Sequence, residues 1–211
     1  MNRAFLLTAA AATALSLAAC NKPATNTTPP ADATQTATNA TGAAQDTVGA
    51  AQDTVGGAVG QTSASTLGSH DTGAFVSNAS QSDMYEIQAG QIASTRSKNA
   101  DVKAFGKSMV TDHTAMMNQM KPLITAAGQT PADKLDQRRQ GFIDNLKTAS
   151  DAAFDKTYID QQVAAHGEAL TLMQGYADNG PDAGLKAGAA KAVPKIQMHL
   201  DKAKSIQANL K

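Results

Sequence analysis

The chain has one cysteine, no tryptophan and only 4% aromatic residues among its 211. A single cysteine excludes an internal disulfide and any zinc or iron–sulfur site built from several cysteines. With so few aromatics, Ala, Leu, Ile, Val and Met must fill the core, which favours close-packed helices over a sheet sandwich. An excess of one charge is missing too, since Lys plus Arg and Asp plus Glu each number 18. Without a one-sign field, nucleic-acid binding by phosphate neutralisation is excluded as a function class. There is no Ser-His-Asp arrangement, phosphate-binding glycine loop or redox cysteine pair, so no reaction class is indicated.

What the sequence does contain begins with a three-zone amino terminus: Arg3, an apolar run from Ala4 to Ala19 and a small-residue end. That is the pattern of a secretory signal over 1–19, and its apolar run is too short for an ordinary membrane span. It ends in Leu17-Ala18-Ala19-Cys20, which resembles the bacterial lipobox, and the sole cysteine stands where lipidation requires it. The resemblance implies attachment to a membrane through lipidated Cys20; a plain signal peptide with an unrelated cysteine is the alternative. Asn21, rather than Asp, follows it, which by resemblance to the enterobacterial sorting rule implies an outer-membrane lipoprotein with its domain in the periplasm. From 20 to 69 the chain is rich in Thr, Ala, Asn, Gly, Gln and Pro. Such a segment buries too little apolar surface to offset its ordering entropy, so a disordered tether is expected, with a transient Ala-rich helix as the alternative. Within it the unit Ala-Ala-Gln-Asp-Thr-Val-Gly occurs twice in tandem, at 43–49 and 50–56.

From 70 to 211 apolar residues recur three and four apart, which predicts long helices over about 71–97, 100–127, 151–177 and 182–209. Pro122 and Pro194 should bend two of them. A shorter helix is expected over about 132–147, following Thr130-Pro131. Its roughly 16 residues would span about 24 Å, enough to return the chain along the bundle. The expected fold is therefore all-α: a ferritin-like four-helix bundle with a short crossover helix, whose second and third long helices run the same way.

His70 lies at the tether boundary, and the other three histidines fall one per long helix at His113, His166 and His199, each on an apolar stripe. Glu86 occupies a stripe of small residues on the remaining long helix. Counting along the expected helices, the four groups lie within about five residues of one level, roughly 7 Å. Inward groups from four helices at one level are how bundles assemble metal sites, and the alternative is a buried polar network without metal. Glu86 and Glu168 are the only glutamates, and neither precedes a histidine by three, so the Glu-x-x-His pairs of di-iron carboxylate proteins are absent. A His-rich site with one carboxylate suits one ion of copper, zinc, iron or nickel. Met109, Met116 and Met117 near His113 are either soft ligands for Cu(I) or core filler.

Glu86-Ile87-x-x-Gly90-x-x-Ala93, Met109-x-x-Asp112-His113, Phe154-Asp155-x-x-Tyr158 with His166 eight residues on, and Pro194 with His199 five residues on resemble the recurring pattern of a large bacterial envelope family of unknown function. Its members are labelled outer-membrane or lipoprotein-like proteins with a ferritin-like four-helix domain. The resemblance covers about 71–204. It implies the fold, the envelope location and the positions of Glu86, His113, His166 and His199, and it brings no activity. Asp112, about 100° around the helix from His113, reads as a solvated charge, and Asp155 and Tyr158 as a hydrogen-bonded second layer supporting the crossover. Two function classes follow: an envelope lipoprotein that binds one transition metal for sequestration, sensing or modest redox chemistry, or a metal-free structural or stress-related lipoprotein acting through protein contacts. The protein partner is unspecified. Replacing Cys20 by Ser should release the protein from membranes or block its maturation; unchanged membrane fractionation and lipid labelling would contradict the anchor.

Overall fold

The computed structural model describes residues 33–66, 68 and 70–210. The expected signal segment, Cys20 and the first part of the expected tether lie outside them. Among the described residues there are six helices and no strand: α1 (Ala33–Thr66), α2 (Thr72–Arg96), α3 (Ala100–Ala126), α4 (Gln137–Thr148), α5 (Asp151–Asn179) and α6 (Ala183–Asn209). None of them is long and apolar enough to cross a membrane.

Local chemistry sets the boundaries. The side chains of Asp71, Asn99, Asp136, Ser150 and Asp182 accept hydrogen bonds from the first backbone N–H groups of α2 to α6, groups that a helix cannot satisfy within itself. Asp136 explains why the crossover helix starts five residues later than about 132. Before it, the chain packs on α2, with Ala132 N donating to Ser80 Oγ at 3.2 Å and Asp136 N to Gln81 Oε1 at 2.6 Å. Pro122 and Pro194 sit inside continuous helices.

Contacts at the two ends of the bundle give its directions. Phe75, early in α2, stacks on Tyr176, late in α5, at 3.8 Å between ring centroids. At the other end Arg96 and Lys98 approach Asp151 at 3.7 and 2.7 Å, and Gln207 of α6 donates to Asp160 of α5 at 2.8 Å. Phe105 and Tyr158, each early in its helix, meet edge to face at 6.3 Å. Thus α3 and α5 run the same way, joined by a crossover that carries α4. Where α2 and α3 cross, a Cβ on Gly90 would lie 2.6 Å from the Gly106 carbonyl oxygen. Only a residue without a side chain permits that approach, and it draws α2 close against the His113-bearing helix.

The core is two apolar clusters, one around Tyr85, Phe105, Met109, Phe154, Tyr158 and Ile206, the other around Phe75, Met120, Leu172, Tyr176, Leu185 and Ile196. Asp83, Glu86, His113, His166 and His199, all buried, fall between them along each helix.

The disordered tether expected over 20–69 is corrected for 33–66, which forms α1 and packs on α4 and α5. The composition argument looked for large apolar residues, but the docked face is built differently. Residues 46, 49, 53, 56, 60 and 64 are spaced by three, four, three, four and four, and read Asp, Gly, Asp, Gly, Gly, Ala. The tandem repeat supplies the first four of these, because seven residues are nearly two turns. Asp46 accepts from the backbone N–H of Ser150 at 3.0 Å and from its hydroxyl at 2.7 Å. Buried Asp53 accepts from Asn145 at 2.7 Å and Gln161 at 2.6 Å. Gly56 lies under the Phe142 ring, and a Cβ on Gly60 would fall 1.9 Å from Glu168 Oε2. Glu168 cannot swing aside freely, since Arg138 and Arg139 hold it at 2.8 and 2.7 Å. The valines Val48, Val55 and Val59 face outward. Gly60→Ala should therefore lower the unfolding temperature and expose α1 to protease, although Ala is the better helix former by about 1 kcal/mol. An undocked segment would show neither change.

Candidate metal centre

The three inward histidines come together as one group. His113, His166 and His199 are all buried, each offers a ring nitrogen, and these nitrogens lie within 4.8 Å of one another. The ring centroids form a near-equilateral triangle of 5.5, 5.4 and 5.4 Å. Ligands sharing one ion through bonds of about 2.1 Å stand about 3.4 Å apart in a tetrahedron, so a small inward shift of the rings would bring them into register.

Each ring is held from behind through its other nitrogen. His113 Nδ1 pairs with Asp83 Oδ1 at 2.9 Å, His166 Nδ1 with the Gln162 carbonyl at 2.9 Å, and His199 Nε2 with Asp112 Oδ2 at 2.9 Å. A carbonyl can only accept, so His166 must carry its proton on Nδ1, leaving the Nε2 lone pair free. The front nitrogens, His113 Nε2, His166 Nε2 and His199 Nδ1, are buried without a hydrogen-bond partner. An anchored back nitrogen and a free front nitrogen are what a ligating imidazole requires.

Glu86 stands against this triangle and is only 1% exposed. Its Oε1 lies 3.6 Å from His166 Nδ1, the anchored nitrogen, and its Oε2 has no partner. Of the four expected ligands, the three histidines are brought together, while Glu86 lies outside that group, its approach to His166 being to the anchored nitrogen. Burial lifts the Glu86 carboxyl to about 7 against the pull of His113. Burial likewise pushes His166 well below the ordinary 6.5, reinforced by the charges of His113 and His199. For His113 burial acts in the same direction, but the hydrogen bond to Asp83 and the charge of Glu86 outweigh it and raise its pKa. His199 is lowered, chiefly by burial, against the opposing bond to Asp112.

Two residues that hold the rings were not expected to do so. Asp112 is no solvated charge: it accepts from His199 and meets Lys195 at 3.4 Å, because its position around α3 points it at α6 rather than at solvent. Asp83 lies one helical turn before Glu86 on the same inward face, which was the available signal for it. The methionines divide: Met109 packs in the apolar cluster with Tyr85 and Phe105, Met116 lines a groove between α3 and α6, and Met117 one between α2 and α3. Tyr158 is fully buried between Phe105 and Phe154, but neither its hydroxyl nor Asp155 Oδ1 finds a protein partner. Hydrogen-bonded support of the crossover is therefore corrected for both atoms. His70 is exposed and apart.

A family model for a domain of unknown function, DUF4142, matches residues 57–206. The chain belongs to this family. The DUF4142 match begins inside α1 and extends the expected domain, so the last turns of α1 are part of the domain rather than a linker. It contains all three histidines, their anchors and Glu86. No curated protein and no solved structure matches the chain.

The unequal environments of the rings are measurable. In a ring-NMR titration of the metal-free protein, His113 should take its proton above 6.5 while His166 stays neutral far below it. A His166 that titrates near its ordinary 6.5 would mean that the ring reaches solvent.

Proposed function

We propose that this DUF4142 protein is a lipid-anchored protein of the bacterial envelope whose ferritin-like bundle holds one transition metal ion at His113, His166 and His199, with Glu86 as the adjoining carboxylate. The observation that carries the reading is the set of three buried ring nitrogens, unpartnered and convergent, each on a ring anchored from behind. A metal-free polar network would account for the Asp83 and Asp112 pairs but leaves those three lone pairs desolvated and unused, which is costly in a core. Three imidazoles with a carboxylate suit zinc, copper, nickel or iron. The packing role of Met109 makes a thioether site for Cu(I) less fitting than a nitrogen site. A buried ion ties occupancy to the packing of all four long helices, which suits sequestration or sensing, and modest redox chemistry is open to copper or iron. Cys20 and the signal pattern before it are the basis for the membrane attachment and the outer-membrane, periplasm-facing location.

The test is titration of the full chain, without a histidine tag, with zinc, copper, iron(II) and nickel. One equivalent should raise the unfolding temperature, because the unfolded chain does not hold the ligands together. His166→Ala should abolish the shift, and Asp112→Asn should weaken affinity by roughly 10- to 100-fold by releasing the His199 ring. Below about 7 Glu86 carries a proton, and His113 holds one up to a pKa above 6.5; both compete with metal. Affinity should therefore fall as pH drops through this range. No shift with any of the four metals would leave the metal-free reading.

A further inference from the structure

Among the described residues, eight buried side-chain atoms have no hydrogen-bond partner. The metal site accounts for four of them: the three front ring nitrogens and Glu86 Oε2. The other four are Asp155 Oδ1, Tyr158 OH and both amide atoms of Gln162. Native structures leave few such groups, and each one needs a reason. These share a placement. Residues 155, 158, 162 and 166 are spaced by three, four and four, so they form one stripe along α5 that ends at His166. The stripe climbs about 16 Å from the first turns of the helix.

Its surroundings are largely aromatic, and Gln162 has polar side chains beside it. Tyr158 lies parallel to Phe154, at 6.4 Å, and edge-on to Phe105, and Phe105 also touches His166 and His199 at 6.3 and 6.4 Å. The Gln162 amide is close enough to Glu86 and Tyr85 to favour their charged forms, yet it meets neither in hydrogen-bond geometry. The Tyr85 hydroxyl donates to Gln161 at 2.9 Å. Glu86 is near enough to the Tyr158 hydroxyl for its charge to be felt there. Donors and acceptors are both present along the stripe: a phenol with one of each, an amide with two donors and an acceptor, and two carboxylate oxygens that accept. Water, which needs two to four such partners, is the one small molecule that could satisfy all of them in a packed core. Asp155 is partly exposed, so the stripe opens to solvent at its lower end.

We propose that Asp155, Tyr158 and Gln162 line a hydrated passage, a file of ordered water running along α5 from the solvent-facing first turns to Glu86 and His166. It breaches the otherwise apolar lower cluster and brings water to the histidine layer. Its destination as the water supply of a metal ion rests on the function proposed above; its hydration does not.

The test uses the full chain in its metal-free state. In a dry core, Tyr158→Phe removes an unsatisfied hydroxyl and leaves the unfolding temperature unchanged or raised. In a hydrated passage it removes a water partner and lowers that temperature. We expect the decrease, together with ordered water within hydrogen-bond distance of Tyr158 OH and Gln162 in a crystal structure of the wild type. An unchanged or raised unfolding temperature, or protein partners on these atoms in place of water, overturns the passage. Since no metal is present, a wild-type protein that fails to take up any metal defeats the earlier reading and leaves this comparison standing.

Discussion

Three imidazoles buried in the middle of a helical bundle impose a constraint that the rest of the fold must meet. Each brings two ring nitrogens out of water, and a desolvated polar atom without a partner is expensive. The chain meets half of the demand with its own groups, through Asp83, Asp112 and the Gln162 carbonyl. The remaining three nitrogens have no hydrogen-bond partner, on rings that each bring one nitrogen within 4.8 Å of the others. The two apolar clusters above and below this layer hold the rings at a fixed level. Electrostatics follow from the same confinement, since a buried carboxylate at about 7 and a strongly depressed His166 are what neighbours in a low-dielectric layer do to one another.

The framework can be traced to local choices. Capping side chains start each of the helices that carry the site, and the Gly90–Gly106 approach brings α2 against α3, so that Asp83 reaches His113. The crossover returns the chain to the far end, which sets α5 parallel to α3 and lets His166 complete the triangle. On the outside, α1 seals α5 through a seam of aspartate and glycine, and the paired arginines of α4 bind Glu168 from the same side.

Much of this was legible in the sequence because helical periodicity is a strong local signal. The four long helices matched to within a residue or two, and the level of the histidines followed from counting alone. The residues that were misread share a cause. Asp112 points between two helices, and its partner is decided by which helix lies beside it, something no local pattern carries. Asp53 and the glycines of α1 dock by hydrogen bonds and close approach, so a search for large apolar residues passes over them. Tyr158 and Asp155 looked like ordinary support, and only the packed core reveals that their polar atoms meet no protein partner.

The central claim is that His113 Nε2, His166 Nε2 and His199 Nδ1 converge on one ion, and anomalous diffraction from crystals grown with one equivalent of zinc tests it most directly. A single peak about 2.1 Å from those three nitrogens, with the anchoring contacts to Asp83, Asp112 and the Gln162 carbonyl intact, is the predicted result. Zinc bound only at surface carboxylates or His70, with the three inward nitrogens unligated, would contradict the account.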